Sequence, residues 1–136
     1  MGSKRGSKTR PFAGIPNRVL EHKDYHSLNA NSVRLLLWFA YQYKGHNNGK
    51  LCAVHSQLHD KGFKSKSTLS KALAELLQKG FIELSKGSGM NKNGRSPNYY
   101  ALTFEKVDEV RGFHMDIKPT NKALRTFIDH IDLAKN

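Results

Sequence analysis

The longest apolar run of the chain, residues 35–41, lies inside a segment whose spacing predicts a helix over residues 29–44. Asn29 or Asn31 can cap the start of this helix, and the turn-forming residues 45–49 end it. The run is apolar around most of the helical circumference, so the helix needs cover on more than one side. We therefore expect it to pack against several neighbours.

A second helix is predicted over residues 65–79, with Ser65 or Ser67 as its cap. Apolar residues lie along one face of this helix. The opposite face holds small polar residues and lysine, and one acid, Glu75, lies at its edge. A solvent-facing helix ordinarily mixes Glu with Lys, so this acid-poor face is shaped to lie against an anion. The apolar residues recur at helical spacing and share one stripe: Leu69, Ala72, Leu73, Leu76 and Leu77.

Shorter elements complete the pattern. A short strand at 51–53 precedes a brief helix at 54–60. Two β signals, residues 81–86 and 98–104, flank a segment rich in Gly, Asn and Ser, which we expect to be a long, flexible, positively charged hairpin tip. The order of elements is that of a helix-turn-helix followed by a hairpin.

Charge is distributed unevenly along the 136 residues. The chain has 23 Lys+Arg and 11 Asp+Glu, a formal net charge of +12. Residues 105–136 hold six basic and six acidic side chains, so residues 1–104 carry the whole excess, 17 basic against 5 acidic. Clustered positive charge favours a polyanion such as nucleic acid. The alternative is that the charge only keeps a small protein soluble.

We expect three parts: a basic flexible arm at 1–11, a domain at 12–104 and an extension at 105–136. The domain begins with an irregular lead-in that Pro16 interrupts. After Pro119 the extension is predicted to form an amphipathic helix, which covers apolar surface on the first helix in the same subunit or in a twofold partner. The residues of this contact are Leu35, Trp38 and Phe39 on the first helix and Leu124, Phe127, Ile128 and Ile131 in the extension.

The composition of the chain limits the cellular compartments in which we expect it. A single cysteine, Cys52, cannot form an intramolecular disulfide, and the basic start lacks the apolar stretch of a signal peptide. The longest apolar run is far shorter than the roughly 20 residues that span a bilayer. We therefore expect no membrane association and a location in the bacterial cytoplasm or nucleoid.

A family resemblance rests on residues spread over 12–104. These residues are Phe12, Ile15, Pro16, Val19, Leu20, Asn47, Asn48, Gly49, Leu51, Ser67, Leu69, Ala72, Leu73, Leu76, Gly80, Phe81, Ile82, Tyr100, Ala101, Leu102 and Thr103. In their order and spacing the chain resembles the winged helix-turn-helix DNA-binding proteins of bacteria and mobile genetic elements, including phage and plasmid replication proteins. The resemblance implies an α+β fold with a three-helix core and a β-hairpin wing.

The resemblance also implies a double-stranded DNA-binding function, as a sequence-specific transcription regulator or a replication or mobile-element factor. The helix at 65–79 is then the recognition helix in the major groove, and the wing lies on the backbone or in the minor groove. Ser67 has an alternative role as a pure N-cap. Candidate contacts are Lys64, Lys66, Ser67, Thr68, Ser70 and Lys71 at the helix, Lys86, Lys92 and Arg95 in the wing, and Lys4, Arg5, Lys8 and Arg10 in the arm.

Three other functions compete with duplex DNA binding: a zinc site, docking of an acidic protein, and RNA binding. The chain lacks the aromatic platform that stacks single-stranded RNA bases. Cys52, His55 and His59 have a spacing that could face one zinc ion, but a fourth ligand is not evident, and Cys52 suits a buried position better. The acids of residues 1–104 form no nuclease-type pair, so we expect no enzyme activity, cofactor, metal or small-molecule substrate. The second rival is a winged-helix module that docks an acidic protein partner.

Overall fold

The computed structural model describes residues 11–91 and 94–123. Within these ranges the fold is mixed α+β, with five helices and two small antiparallel sheets, which confirms the predicted α+β class. The helices are α1 Asn17–Leu20, α2 Lys23–His26, α3 Ala30–Gln42, α4 His55–Leu58 and α5 Lys66–Gln78, and the strands are β1 Ile82–Lys86, β2 Gly89–Asn91, β3 Gly94–Ser96 and β4 Tyr99–Leu102.

The two long helices, α3 and α5, are the predicted ones, with 13 residues each. Asn29 caps α3 by accepting a hydrogen bond from the backbone N–H of Asn31. Ser65 caps α5 by accepting from the backbone N–H of Thr68 at 3.0 Å. Each cap is the first of the two candidates, because its extended backbone lets the side-chain oxygen reach the free N–H groups of the first turn.

The lead-in contains two short helices that the sequence analysis missed. Pro16 does not interrupt regular structure there; it is the N-cap of α1 and its carbonyl accepts from the N–H of Val19. Proline suits this position because it has no N–H to leave unpaired and its φ of −60° leads into a helix. His22 then caps α2 through its Nδ1.

The core lies between α3, α5 and the strands. On α5 the buried stripe is narrower than predicted: Leu69, Ala72 and Leu76 are buried, whereas Leu73 is half-buried and Leu77 is exposed. The fully buried large side chains from the remaining elements include Leu35, Leu36, Phe39, Leu51, Leu58, Phe63, Phe81 and Leu102.

Both predicted β segments form strands, and they pair with each other. β1 and β4 are antiparallel, with Ile82 opposite Leu102, and the predicted strand at 51–53 is reduced to a single bridge between Leu51 and Tyr100. The segment between β1 and β4, predicted as a flexible hairpin tip, contains two further strands. β2 and β3 form a second antiparallel pair at the position of the wing expected from the sequence, so we call this pair the wing sheet or, for short, the wing.

Asn48 ties the turn after α3 to the segment that follows β4. Its buried amide donates to the carbonyls of Leu102, Glu105 and Lys106, and its Oδ1 accepts from the N–H of Leu102 at 2.7 Å. Its own backbone N–H donates to the buried carboxylate of Asp108. The structured body therefore continues without a break past residue 104.

Candidate nucleic-acid interface

The first turns of α5 present hydroxyl and ammonium groups to solvent. Ser65 is the N-cap, which leaves Ser67 exposed, so the pure-cap role considered for Ser67 is wrong. Thr68 is half-buried, and its hydroxyl lies 2.9 Å from that of Ser65. Lys66 and the remaining candidates on this face, Ser70 and Lys71, are exposed.

Three lysines surround the start of α5: Lys64, Lys66 and Lys71. All three are exposed, and within the described ranges no carboxylate forms an ion pair with any of them. Lys71 and Thr68 also line a groove of about 260 Å³ between α5 and the first turn of α3. These ammonium groups are therefore available to an anionic partner.

Glu75, the single acid of α5, lines the same groove as Lys71, but its carboxylate is already hydrogen-bonded and paired with Lys79. Its Oε1 accepts hydrogen bonds from the backbone N–H of Asn29 at 2.9 Å and from the hydroxyl of Ser32 at 2.5 Å, and its Oε2 lies 3.4 Å from Nζ of Lys79. Burial acts to raise the pKa of Glu75, but the bonds from Ser32 and Asn29 and the charge of Lys79 offset it and lower the pKa overall. The carboxylate of Glu75 is therefore hydrogen-bonded to the start of α3.

The wing sheet places its cations differently. Arg95 is exposed in β3 and stands opposite Met90 of β2. Lys86, at the base of the wing, is half-buried; its Nζ donates to the carbonyl of His114 at 2.8 Å and lies 5.8 Å from the ring centre of Phe113. Lys92 lies outside the described residues.

Residues 110–120, which we call the brace, run along the base of the wing. The carboxylate of Asp116 accepts from the N–H of Gly87 at 3.0 Å, and the N–H of Asp116 donates to the carbonyl of Ser85 at 2.6 Å. The ring of Phe113 packs edge-on against Tyr99, with centroids 4.8 Å apart. The charge-balanced extension thus holds the base of the wing in place.

The apolar surface of α3 differs from the expectation. Leu35 and Phe39 have no exposed surface, because they pack into the core, whereas Trp38 is half-buried. The exposed apolar residues of α3 are instead Leu37 and Tyr41. With Trp38 and residues of α4 and the α4–α5 turn, they line an open pocket of about 410 Å³.

Several candidates lie outside the described residues, and their roles stay predictions. They are Lys4, Arg5, Lys8 and Arg10 of the arm and Leu124, Phe127, Ile128 and Ile131 of the extension. Helices of the described part are all too short or too polar to cross a membrane.

The rings of His55 and His59 meet edge to face, with centroids 5.7 Å apart, but Cys52 does not complete a three-residue metal cluster with them. Nε2 of His55 lies 3.0 Å from the carbonyl oxygen of Lys64, and burial raises the pKa of the Cys52 thiol, which disfavours the thiolate that binds metals. Across residues 11–91 and 94–123, no group of three His, Cys, Asp or Glu side chains is arranged to hold a metal ion.

Comparison of the chain with protein-family models, with curated proteins and with solved structures finds no match.

Sequence reasoning missed two features of this surface. The first is the pair of hydrogen bonds that Glu75 accepts at the start of α3, from residues 43 and 46 positions away along the chain. The second is Met90, whose exposure at the wing tip had a visible indication: it is an apolar residue in an otherwise polar, glycine-rich segment.

Proposed function

We propose that the chain is a double-stranded DNA-binding protein with a winged helix-turn-helix architecture. In this assignment α3, α4 and α5 are the three-helix core, Leu51, β4 and β1 are the small sheet, and the wing sheet is the wing. The order of elements and the pairing of Leu51 with Tyr100 support it.

In this proposal α5 lies in the major groove of the duplex. Lys66, Ser67, Ser70 and Lys71 approach base edges or phosphates, and Lys64 contacts the backbone. Arg95 of the wing lies on the backbone or in the adjacent minor groove. Lys86 supports the wing from its base, since its ammonium is already bound by the brace.

One observation carries the proposal. The outward side of α5 presents exposed ammonium groups, while its single carboxylate is held by Asn29, Ser32 and Lys79. A duplex carries one negative charge per roughly 1.7 Å of axis, so such a face gains free energy by releasing condensed counterions. No Arg lies on α5, so the strongest bidentate reader of guanine is absent and Lys71 is the remaining candidate for that contact.

The biological role that fits is a sequence-specific transcription regulator or a replication or mobile-element factor in the bacterial cytoplasm or nucleoid. A homodimer would present two α5 helices to a palindromic site. Selection of bound duplexes from a random library tests both points, because it returns the sequence preference together with the symmetry and spacing of the half-sites.

Salt dependence of binding to duplex DNA tests the proposal itself. If about five phosphates are contacted, log K falls with log salt at a slope of about −4 to −5. A flat dependence, or no binding at low salt, overturns the proposal and favours docking of an acidic protein instead.

A further inference from the structure

The tip of the wing carries an exposed apolar side chain next to a cation. Met90 is 73% exposed, the most exposed large hydrophobic side chain within the described ranges. Arg95 is its direct partner across β2 and β3. Residues directly opposite each other in an antiparallel pair project from the same face, so a thioether and a guanidinium stand side by side.

The base of this hairpin is anchored at several points. The N–H of Ser88 donates to Oδ1 of Asn98 at 2.6 Å, and the hydroxyl of Ser96 donates to the carbonyl of Gly89. On the other side, Asp116 and His114 of the brace hold Gly87 and Lys86. These hydrogen bonds therefore hold the base of the hairpin that carries Met90 and Arg95.

We propose that Met90 is a wedge that inserts between two base pairs in the minor groove and bends the duplex, with Arg95 beside it at the groove floor. This inference rests on the proposed DNA binding. Apolar side chains that enter the minor groove unstack a base step and kink the duplex by roughly 20–90°. The flexible, polarisable thioether of methionine fits the irregular gap that a partly opened step leaves.

The arrangement also indicates where the wedge acts. Arginine is drawn to the negative potential of a narrow minor groove, so Arg95 would favour the edge of an A·T-rich stretch. Pyrimidine–purine steps such as TA unstack most easily. The expected target of Met90 is therefore a TA step that borders A·T-rich sequence.

The test uses the full chain and a duplex with a central TA step, in which 2-aminopurine replaces the adenine and dyes label the two ends. Binding of the unaltered chain should raise the 2-aminopurine fluorescence and shorten the distance between the ends. A mismatch at the same step removes part of the unstacking cost, so it should tighten binding roughly tenfold.

Met90→Ala should abolish the fluorescence rise, the shortening and the mismatch preference, while it keeps binding to the straight duplex. Met90→Leu should retain all three effects. Leu37→Ala, which truncates an exposed apolar residue on α3, should leave them unchanged. Equal fluorescence and bending for the unaltered chain and Met90→Ala, with binding intact, would overturn the wedge and leave the proposed function standing. Failure of the unaltered chain to bind any duplex would overturn both.

Discussion

Glu75 shows how one residue sets the charge of a whole helix face. Its carboxylate joins the start of α3 to the end of α5 through Asn29, Ser32 and Lys79. A negative charge near a helix N-terminus also interacts favourably with the helix dipole. The same contacts that stabilise the α3–α5 pair therefore occupy and partly neutralise the carboxylate that lines the groove beside Lys71.

The lowered pKa of Glu75 predicts a stability change in acid. A carboxylate whose pKa is lower in the folded state stabilises the fold above its ordinary value of 4.5, and the stabilisation is lost as the pH falls through the folded pKa. Glu75→Gln should therefore cost on the order of 1 kcal/mol at neutral pH and progressively less as the pH falls below 4.5. Urea unfolding of both chains at neutral and acidic pH measures the difference.

Glu83→Gln in β1 is the control, because it removes a carboxylate away from the start of α3. A cost for Glu75→Gln that stays constant from neutral to acidic pH would contradict the account of Glu75.

Asn48 predicts a larger effect on stability. Asn48→Ala would leave the N–H of Leu102 and three carbonyl groups without their amide partner in or near the core, at a cost of about 3 kcal/mol. Asn47→Ala removes an amide with two backbone bonds in the neighbouring exposed turn and should cost about 1 kcal/mol. Chemical denaturation compares the two, and equal costs would show that Asn48 does not hold the two segments together.

At the scale of elements, the sequence predicted the helices and strands whose formation depends on residues close together in the chain. Caps and apolar spacing located α3 and α5, and short apolar segments on either side of a Gly-, Asn- and Ser-rich stretch located β1 and β4. The bonds of Asn48 to residues after 104, and the packing of the brace on the wing, could not be predicted, because they join positions far apart in the chain. Likewise, a helix as apolar as α3 does not reveal that Leu35 and Phe39 face the core while Leu37 and Tyr41 do not.

The brace packs against the turn before Leu51, and this contact predicts how a glycine substitution in the turn changes stability. Gly49 and Gly45 both have positive φ, +120° and +94°, so alanine is strained at either position. A Cβ at Gly49 would also collide with the sulfur of Met115, whereas at Gly45 it meets nothing within 4 Å. Because the Met115 side chain is flexible and can shift, Gly49→Ala should lower the free energy of unfolding by only about 1 kcal/mol more than Gly45→Ala.

Denaturant midpoints of the two glycine variants provide the measurement. Met115→Ala added to Gly49→Ala should recover part of the loss, since it removes the colliding side chain. Equal midpoints for Gly45→Ala and Gly49→Ala would mean that the brace does not pack on this turn.

At the scale of the whole molecule, the separation of charge is the main feature. The net charge of +12 belongs to residues 1–104, and the balanced extension supplies a support for the wing in place of more positive charge. Positive charge spread evenly would attract a polyanion from any side. The exposed cations Lys64, Lys66, Lys71 and Arg95 should instead orient the duplex against α5 and the wing.

The slope of log K against log salt for duplex binding, compared between two variants of equal net charge, tests this account most directly. One variant carries Lys66→Ala and Lys71→Ala on α5, and the other carries Arg111→Ala and Lys118→Ala at two exposed positions of the charge-balanced extension. The account predicts that the α5 variant reduces the magnitude of the slope by about 2, roughly one per lost phosphate contact, while the extension variant keeps the original slope. Equal slopes for the two variants would contradict it.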